Sequence, residues 1–341
     1  AEVSIATNNR GYYVNRAIIK NLKPNTEYVY RIVNDETTKT YSFKTDSNHS
    51  KARIKRIDTE RMENELSKRT ILIVAGFQGI NKFDDVTTLG RGGSDTSAVA
   101  LAAALGADLC QIYTDVDGVY TADPRKIPTA KKLDEITYDE MLELASLGAQ
   151  VLHNRSVEMG KRFNVDMEVI SSFTRNPGTK IKEANKVEKM NVSGVARDMD
   201  IAQISLVNMA DAPGIAYKVF SLLANKGVNV DIILQSIGRE SSKDIAFTVP
   251  SSALEAAKAL LEENKESLGF ETIKVREDLC KLSIVGAGMV NNPGVAAMMF
   301  EALSAANVNI DMISTSEIKV SVLIKKDESE RAMRAVHDKF F

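Results

Sequence analysis

The spacing of apolar side chains changes twice along the chain. Residues 1–45 run in short stretches of alternating polar and apolar positions, Glu2–Thr7, Tyr12–Ile19, Glu27–Val33 and Thr40–Lys44, and a period of two predicts strands. From residue 46 to 185 strand-like and helix-like stretches take turns. Thr70–Ala75 (T-I-L-I-V-A) is a continuous apolar run without alternation, which predicts a parallel strand buried on both faces, and Gly76–Gly79 turns out of it. Ser94–Leu105 reads as a helix, Leu109–Thr114 as a strand, Thr137–Leu147 as a helix and Met167–Ser171 as a strand. This alternation predicts an α/β region built on a mostly parallel sheet, with ligands beyond the carboxyl ends of its strands.

Residues 190–341 hold an internal repeat. A segment beginning at Ile204 and another beginning at Leu282 align without gaps from Pro-Gly onward: Pro213 with Pro293, Gly214 with Gly294, Phe220 with Phe300, Asn229 with Asn309, Asp231 with Asp311. Each copy predicts strand, loop, helix, strand and a further β-α segment. The repeat resembles a pair of ACT domains, the α+β ferredoxin-like modules that bind amino acids.

A chain of 341 residues is long enough for two or three domains with cores of their own. The formal charge of −2, with Lys and Arg interspersed among Asp and Glu, leaves no broad basic field for nucleic acid or an anionic membrane. The longest strongly apolar stretch, Ala98–Ala107, is too short to span a bilayer, and no secretory signal is legible at the N-terminus. Cys110 and Cys280 each sit in an apolar stretch, which favours two buried reduced thiols over a disulfide. A cytoplasmic protein is the expectation.

The candidate chemistry lies in two strings, T-T-L-G-R-G-G-S-D-T-S-A (Thr87–Ala98) and I-Y-T-D-V-D-G-V-Y-T-A-D-P-R (Ile112–Arg125). Gly90, Gly92 and Gly93 allow close backbone approach to a ligand at a helix start capped by Ser94, where unpaired N–H groups attract anions. Arg91 offers a planar fork for a carboxylate, and Asp95 in the first turn suits an ammonium group, so the pair forms a clamp for a zwitterion. The bland alternative is a tight glycine turn with an aspartate capping a helix. In the second string Thr114 and Asp115 end a strand, Tyr120 is placed to cover a nucleotide and Arg125 to neutralise phosphate. Asp117-Gly118 and Asp123-Pro124 equally suit ordinary turns.

Together the strings resemble the amino acid kinase family, most closely the aspartate kinases, over residues 46–341. The resemblance implies that Arg91 and Asp95 hold a substrate L-aspartate, and that Phe77, Gly79, Gly92, Gly93 and Ser94 line its pocket. It assigns Thr114, Asp115, Tyr120 and Arg125 to ATP, with Mg2+ held by the nucleotide phosphates and no protein metal site. The implied activity is phosphorylation of the aspartate side-chain carboxylate to 4-phospho-L-aspartate. In the ACT pair it points to Met209, Asp211, Ala212, Pro213, Gly214 and Ile215, with Asn229, Asp231 and Gln235 on the facing strand, as the site for a lysine or threonine effector. A homodimer or hetero-oligomer through these domains is expected, the alternative being an ACT pair used for dimerisation alone.

The chain departs from the family pattern in places. Gln150 stands where the family's G-A-K-V-L-H element carries lysine, and His153, with no partner at metal-ligand spacing, reads as structural. The family's K-F-G-G-[ST]-S phosphate loop is not found. Residues 1–45, with N-L-K-P-N-T-E-Y-V-Y-R-I (Asn21–Ile32), instead resemble a fibronectin type III fragment. On that reading the chain divides into 1–45, a partial kinase domain 46–185 and tandem ACT domains 190–341. Its own catalytic power is then expected to be poor, as in a regulatory β-type subunit.

Overall fold

A computed structural model describes residues 30–32, 43–46, 51–147, 151–174, 176–183, 192–236 and 242–341. The strands expected at Glu2–Thr7 and Tyr12–Ile19, the Asn21–Thr26 turn and Gly148–Gln150 lie outside them. The chain forms two compact units, residues 1–121 with 131–188, and residues 122–130 with 189–341.

In the first unit the order is β1 (Tyr30–Ile32), β2 (Phe43–Thr45), β3 (Ile54–Ile57), α1 (Glu60–Ser67), β4 (Ile71–Ile73), β5 (Gln78–Ile80), β6 (Val86–Thr88) and α2 (Gly93–Ala104). There follow β7 (Cys110–Thr114), β8 (Glu135–Thr137), α3 (Tyr138–Ser146), α4 (Asn154–Phe163), β9 (Met167–Ser171) and β10 (Thr179–Lys182). β1 pairs in parallel with β4, and β2 joins a sheet of order β3-β2-β5-β6, so the described strands of the N-terminal segment pair with the region that follows. β4 is parallel as expected, yet it is only half-buried, and among the described residues it pairs with β1 alone.

The sheet that carries the second string has the order β7-β9-β10-β8. β7 and β9 are parallel, β10 and β8 are parallel, and β9 and β10 are antiparallel, so pairing is mixed where the sequence suggests mostly parallel. The reason is length: residues 172–178 join β9 to β10, and a parallel crossover needs about a dozen residues or more. The hairpin β5–β6 is absent from the sequence reading because its strands are short and its loop is charged. Asn81 builds that loop, its Oδ1 accepting from the N–H groups of Phe83 (2.8 Å) and Asp85 (3.1 Å). Helix α4 also escapes a reading by apolar runs, since N-R-S-V-E-M-G-K-R-F is mostly polar. It packs through Val157 and Gly160, and a Cβ on Gly160 would lie 2.6 Å from Sδ of Met167.

The second unit contains β11 (Gly194–Asp198), β12 (Ala202–Ala210), α5 (Ile215–Asn225), β13 (Ile233–Gln235), β14 (Ser242–Val249), α6 (Leu254–Glu263), α7 (Lys265–Leu268) and β15 (Thr272–Arg276). It continues with β16 (Leu279–Val285), α8 (Val295–Ala305), β17 (Met312–Thr315), β18 (Lys319–Lys325) and α9 (Ser329–Phe340). The first repeat makes its own sheet, β13-β14-β12-β15, whereas the second makes β11-β16-β18-β17. Its fourth strand is thus supplied by chain that precedes the first repeat, with Gly194 opposite Val285 and Asp198 opposite Lys281. Residues 122–130 belong with this unit because Ala122 and Ile127 are buried in the same core as Val195, Leu282 and Val336. Among the described residues no helix is long and apolar enough to cross a membrane.

Reciprocal ion pairs join the two repeats. Lys281 on β16, 7% exposed, donates to Asp231 of the first repeat and lies 3.8 Å from Asp198. Arg276 on β15 reaches Asp311 of the second repeat at 2.5 Å and grips Asp278 through two nitrogens. The aligned aspartates of the repeat therefore each hold a cation from the opposite copy. Removing one side of such a pair strands the other charge, whereas an apolar replacement of the buried cation leaves nothing unpaired. Asp231→Ala is expected to lower stability by about 1–3 kcal/mol, reduced from the fully buried case because Asp231 is half-exposed, and Lys281→Met by less. Urea unfolding measures both; an Asp231→Ala chain as stable as the parent would contradict a structural role for the pair.

Candidate active site

The first turn of α2 is the centre of the first string. Gly92 is the N-cap residue, in the left-handed region at φ 70°, and the helix begins at Gly93, so Ser94 lies inside the first turn and is not the cap. Gly93 N–H closes the turn on Gly90 O at 3.0 Å, and Thr96 donates to Gly92 O through its N–H (3.1 Å) and Oγ1 (3.0 Å). A Cβ on Gly92 would lie 2.3 Å from Cβ of His153, so a side chain is excluded by contact as well as by φ.

Phe77 lies against the same turn. It takes φ 71°, donates its N–H to Oγ of Ser97 at 2.9 Å and accepts from Leu89 N–H at 2.8 Å. A Cβ on Gly93 would sit 2.9 Å from the Phe77 ring, which explains the second glycine. Gly79 lies within β5 and not in a turn; a Cβ there would meet Phe43 O at 2.6 Å.

The start of α4 holds this arrangement from the other side. His153 is its N-cap, with Nδ1 accepting from Arg155 N–H at 3.3 Å, a structural task in line with the sequence reading. Arg155 donates to Leu89 O (2.8 Å) and Ala52 O (3.1 Å), fixing the strand end from which the glycine turn departs. Ser97 belongs to the first string without a role assigned from sequence, Arg155 stands in neither string, and only folding brings Arg155 to the turn.

Asp95 is half-buried, and burial raises its pKa above the ordinary aspartate value. Nearby His153, a hydrogen bond from Ser94 and another from the His153 backbone N–H oppose that rise. Arg91 is exposed. The turn thus offers backbone N–H groups, a solvent-facing guanidinium and a partly desolvated carboxylate, a set matched to a small zwitterion.

The second string forms a loop pinned from behind. Thr114 ends β7, accepts at its carbonyl from Ser172 N–H at 2.7 Å and donates Oγ1 to Asp115 at 3.1 Å, while Asp115 is exposed. Thr179 on β10, fully buried, accepts from Val119 N–H (2.8 Å) and donates to Leu133 O (2.6 Å). Gly118 must lack a side chain because a Cβ would lie 2.5 Å from that same Oγ1. Tyr120 donates to Asp117 at 2.9 Å, and its pKa is raised by partial burial and then by this partner. Lys132 stands 3.7 Å from the other Asp117 oxygen and donates to Pro177 O at 2.9 Å. Asp117 therefore does more than shape a turn. Arg125 falls in the second unit, exposed, and is gripped through two nitrogens by Asp123, whose carboxyl is held below its usual pKa by that guanidinium.

Of the residues expected at the effector site, Met209 is buried and Asp211, Ala212, Pro213 and Gly214 are exposed ahead of α5, whose N-cap is Gly214 at φ 87°. Ile215 opens the helix; Asn229 and Asp231 precede β13, and Gln235 ends that edge strand. Both acids meant for an ammonium already hold a lysine of the chain: Asp211 lies 2.8 Å from Lys243, and Asp231 is bound by Lys281. Cys110 and Cys280 are free and buried, with thiols pushed up by burial to about 11 and about 12.

The chain matches the amino acid kinase family over residues 16–171 and the ACT domain twice, over residues 204–264 and 282–340. The kinase match reaches back into the segment whose sequence resembles a fibronectin type III fragment. The chain is 46% identical over 298 residues to the aspartate kinase of Pseudomonas putida, covering 87% of this chain and 72% of that one. It is 48% identical to the aspartokinase of Thermus thermophilus, covering 87% and 73%. Among solved structures, E. coli aspartokinase III in complex with aspartate and ADP aligns with TM-score 0.73 at 26% identity, covering 92% of this chain and 70% of that one. Clostridium acetobutylicum aspartate kinase also aligns with TM-score 0.73, at 27% identity over 84% and 67%. The chain is an amino acid kinase with ACT domains. Within that class it belongs to the aspartate kinases.

Two outcomes follow from the α2 turn. Gly92→Ala should cost at least about 2 kcal/mol in urea unfolding, from strain at positive φ plus the clash with His153; a change within about 0.5 kcal/mol would refute that contact. For Asp95 the folded pKa lies above the unfolded one, so its stabilising contribution is complete in acid and is lost as pH rises through the folded value. Asp95→Asn should therefore gain on the parent between acid and neutral pH, and a pH-independent difference in unfolding free energy would exclude burial as the cause.

Proposed function

We propose that the chain is an aspartate kinase that transfers the γ-phosphoryl group of ATP to the side-chain carboxylate of L-aspartate, giving 4-phospho-L-aspartate and ADP. The α2 turn carries the reading, because it joins Arg91, backbone N–H groups and half-buried Asp95 at one helix start. The relatives named above align over most of the chain, which favours this reading over a sensor subunit. In it residues 46–185 carry the chemistry and residues 190–341 the sensing.

Arg91 and the N–H groups of the turn take the substrate α-carboxylate, and Asp95 takes its ammonium, which leaves the side-chain carboxylate as the nucleophile. One of its oxygens attacks the γ-phosphorus as the bond to the β–γ bridging oxygen breaks, and the electron pair leaves with ADP. Such a reaction asks the protein for position and charge neutralisation more than covalent work. Phe77, Gly79, Gly92, Gly93 and Ser94 shape the aspartate pocket; Thr114, Asp115 and Tyr120 receive the nucleotide, and Arg125 meets its phosphates. In this reading Mg2+ would arrive on the nucleotide phosphates. Its positive charge would offset that of the phosphates.

E. coli aspartokinase III also has a structure in complex with lysine and aspartate, aligning with TM-score 0.71 at 27% identity. We read the loop Met209–Ile215 with Asn229, Asp231 and Gln235 as the site for lysine or threonine here, in a dimer or hetero-oligomer formed through the ACT repeats. Asp211 and Asp231 would exchange lysine partners when the effector binds.

Hydroxamate trapping of aspartyl phosphate with Mg-ATP and L-aspartate tests the reaction. Product should form, and Arg91→Ala should raise the KM for aspartate by about tenfold or more, the order of a lost charge-assisted hydrogen bond. No hydroxamate, or an unchanged KM, would defeat the assignment. Titration calorimetry with lysine and threonine tests the sensing site, and no heat with either leaves the repeats a dimerisation role only.

A further inference from the structure

Ser171-Ser172-Phe173, at the carboxyl end of β9, has no task in the mechanism above. β9 runs parallel to β7 with Ser171 opposite Thr114, so the two strands end at one level of the sheet. Ser172 N–H donates to Thr114 O at 2.7 Å, which ties the chain leaving β9 to the residue that opens the nucleotide loop. Phe173 N–H donates to Oγ of Ser171 at 3.1 Å, so the backbone at the phenylalanine is held. Its side chain nevertheless stands 82% exposed, more than any other large hydrophobic side chain among the described residues. Single apolar side chains on a surface are ordinary. This one is set apart by its place, an aromatic side chain on a held backbone at the carboxyl ends of two parallel strands, where ligands of such sheets bind.

We propose that Phe173 is the stacking surface for the adenine ring of the nucleotide, a role that rests on the kinase reading above. The polar groups of Thr114 and Asp115 suit ribose hydroxyls, and the loop pinned by Thr179 suits the phosphates. What that set lacks is an apolar face for the base. A phenylalanine ring supplies it, since stacking needs only the π-face that every base presents.

The chain contains no tryptophan, so Phe173→Trp introduces a single indole at this position. Calorimetry of the full chain with ADP should show binding, and Phe173→Ala should weaken it by about tenfold, the order of one base–aromatic stack. Inorganic triphosphate, which has no base, should bind parent and Phe173→Ala alike. In Phe173→Trp the emission should change over the ADP range in which calorimetry saturates. ADP affinity unchanged by Phe173→Ala overturns the inference, as does equal weakening of triphosphate, which would mark a structural role. Should Phe173→Ala fail to fold, a flat Phe173→Trp emission while ADP binds overturns it independently. A parent chain that binds no ADP removes the nucleotide site itself and this inference with it.

Discussion

The contact between Gly92 and His153 is the constraint on which the catalytic unit turns. Two helix starts meet there, and a single methyl group at Gly92 would not fit between them. Because the turn before α2 closes on itself and the start of α4 presses on it, Asp95 is partly withdrawn from water while Arg91 stays exposed. A carboxylate in that position keeps its charge at some cost, offset by hydrogen bonds from Ser94 and the His153 backbone. Functional sites commonly hold such tension, because a group made fully comfortable in the free protein has less to gain from its ligand.

The loop after β7 follows another design. Its outward groups are short and polar, and it is held from behind by Thr179, distant in sequence, and by Lys132 just beyond it. Residues 122–130, which overlap its end, belong to the second unit, where Ala122 and Ile127 are buried in the core. In that unit crossed ion pairs bind the repeats to each other, and the second repeat completes its sheet with a strand from before the first. The aspartates placed before β13 and β17 serve that union, which a reading of one repeat in isolation does not show.

Much of the architecture was legible in the chain. Apolar runs located α2, β7, α3 and β9 to within a residue or two, and the gapless repeat announced two like modules. Legibility failed where apolar period was short or diluted. The β5–β6 hairpin has three-residue strands around a charged loop, and α4 buries few of its residues. The cap of α2 was read two residues past its place, because serine is the commoner cap while Gly92 takes the left-handed backbone that the junction demands.

By itself the sequence determined the class of chemistry, since glycines, an arginine and an aspartate at fixed spacing define a turn that can accept a zwitterion. It also determined the repeat, since hydrophobic period and Pro-Gly positions are local properties. Tertiary structure alone decided that Arg155 and His153 hold the glycine turn, that Thr179 locks the nucleotide loop, and that β11 completes the second repeat. Each joins groups far apart in the chain through hydrogen bonds or close packing, and such contacts leave no period or spacing in the sequence to read.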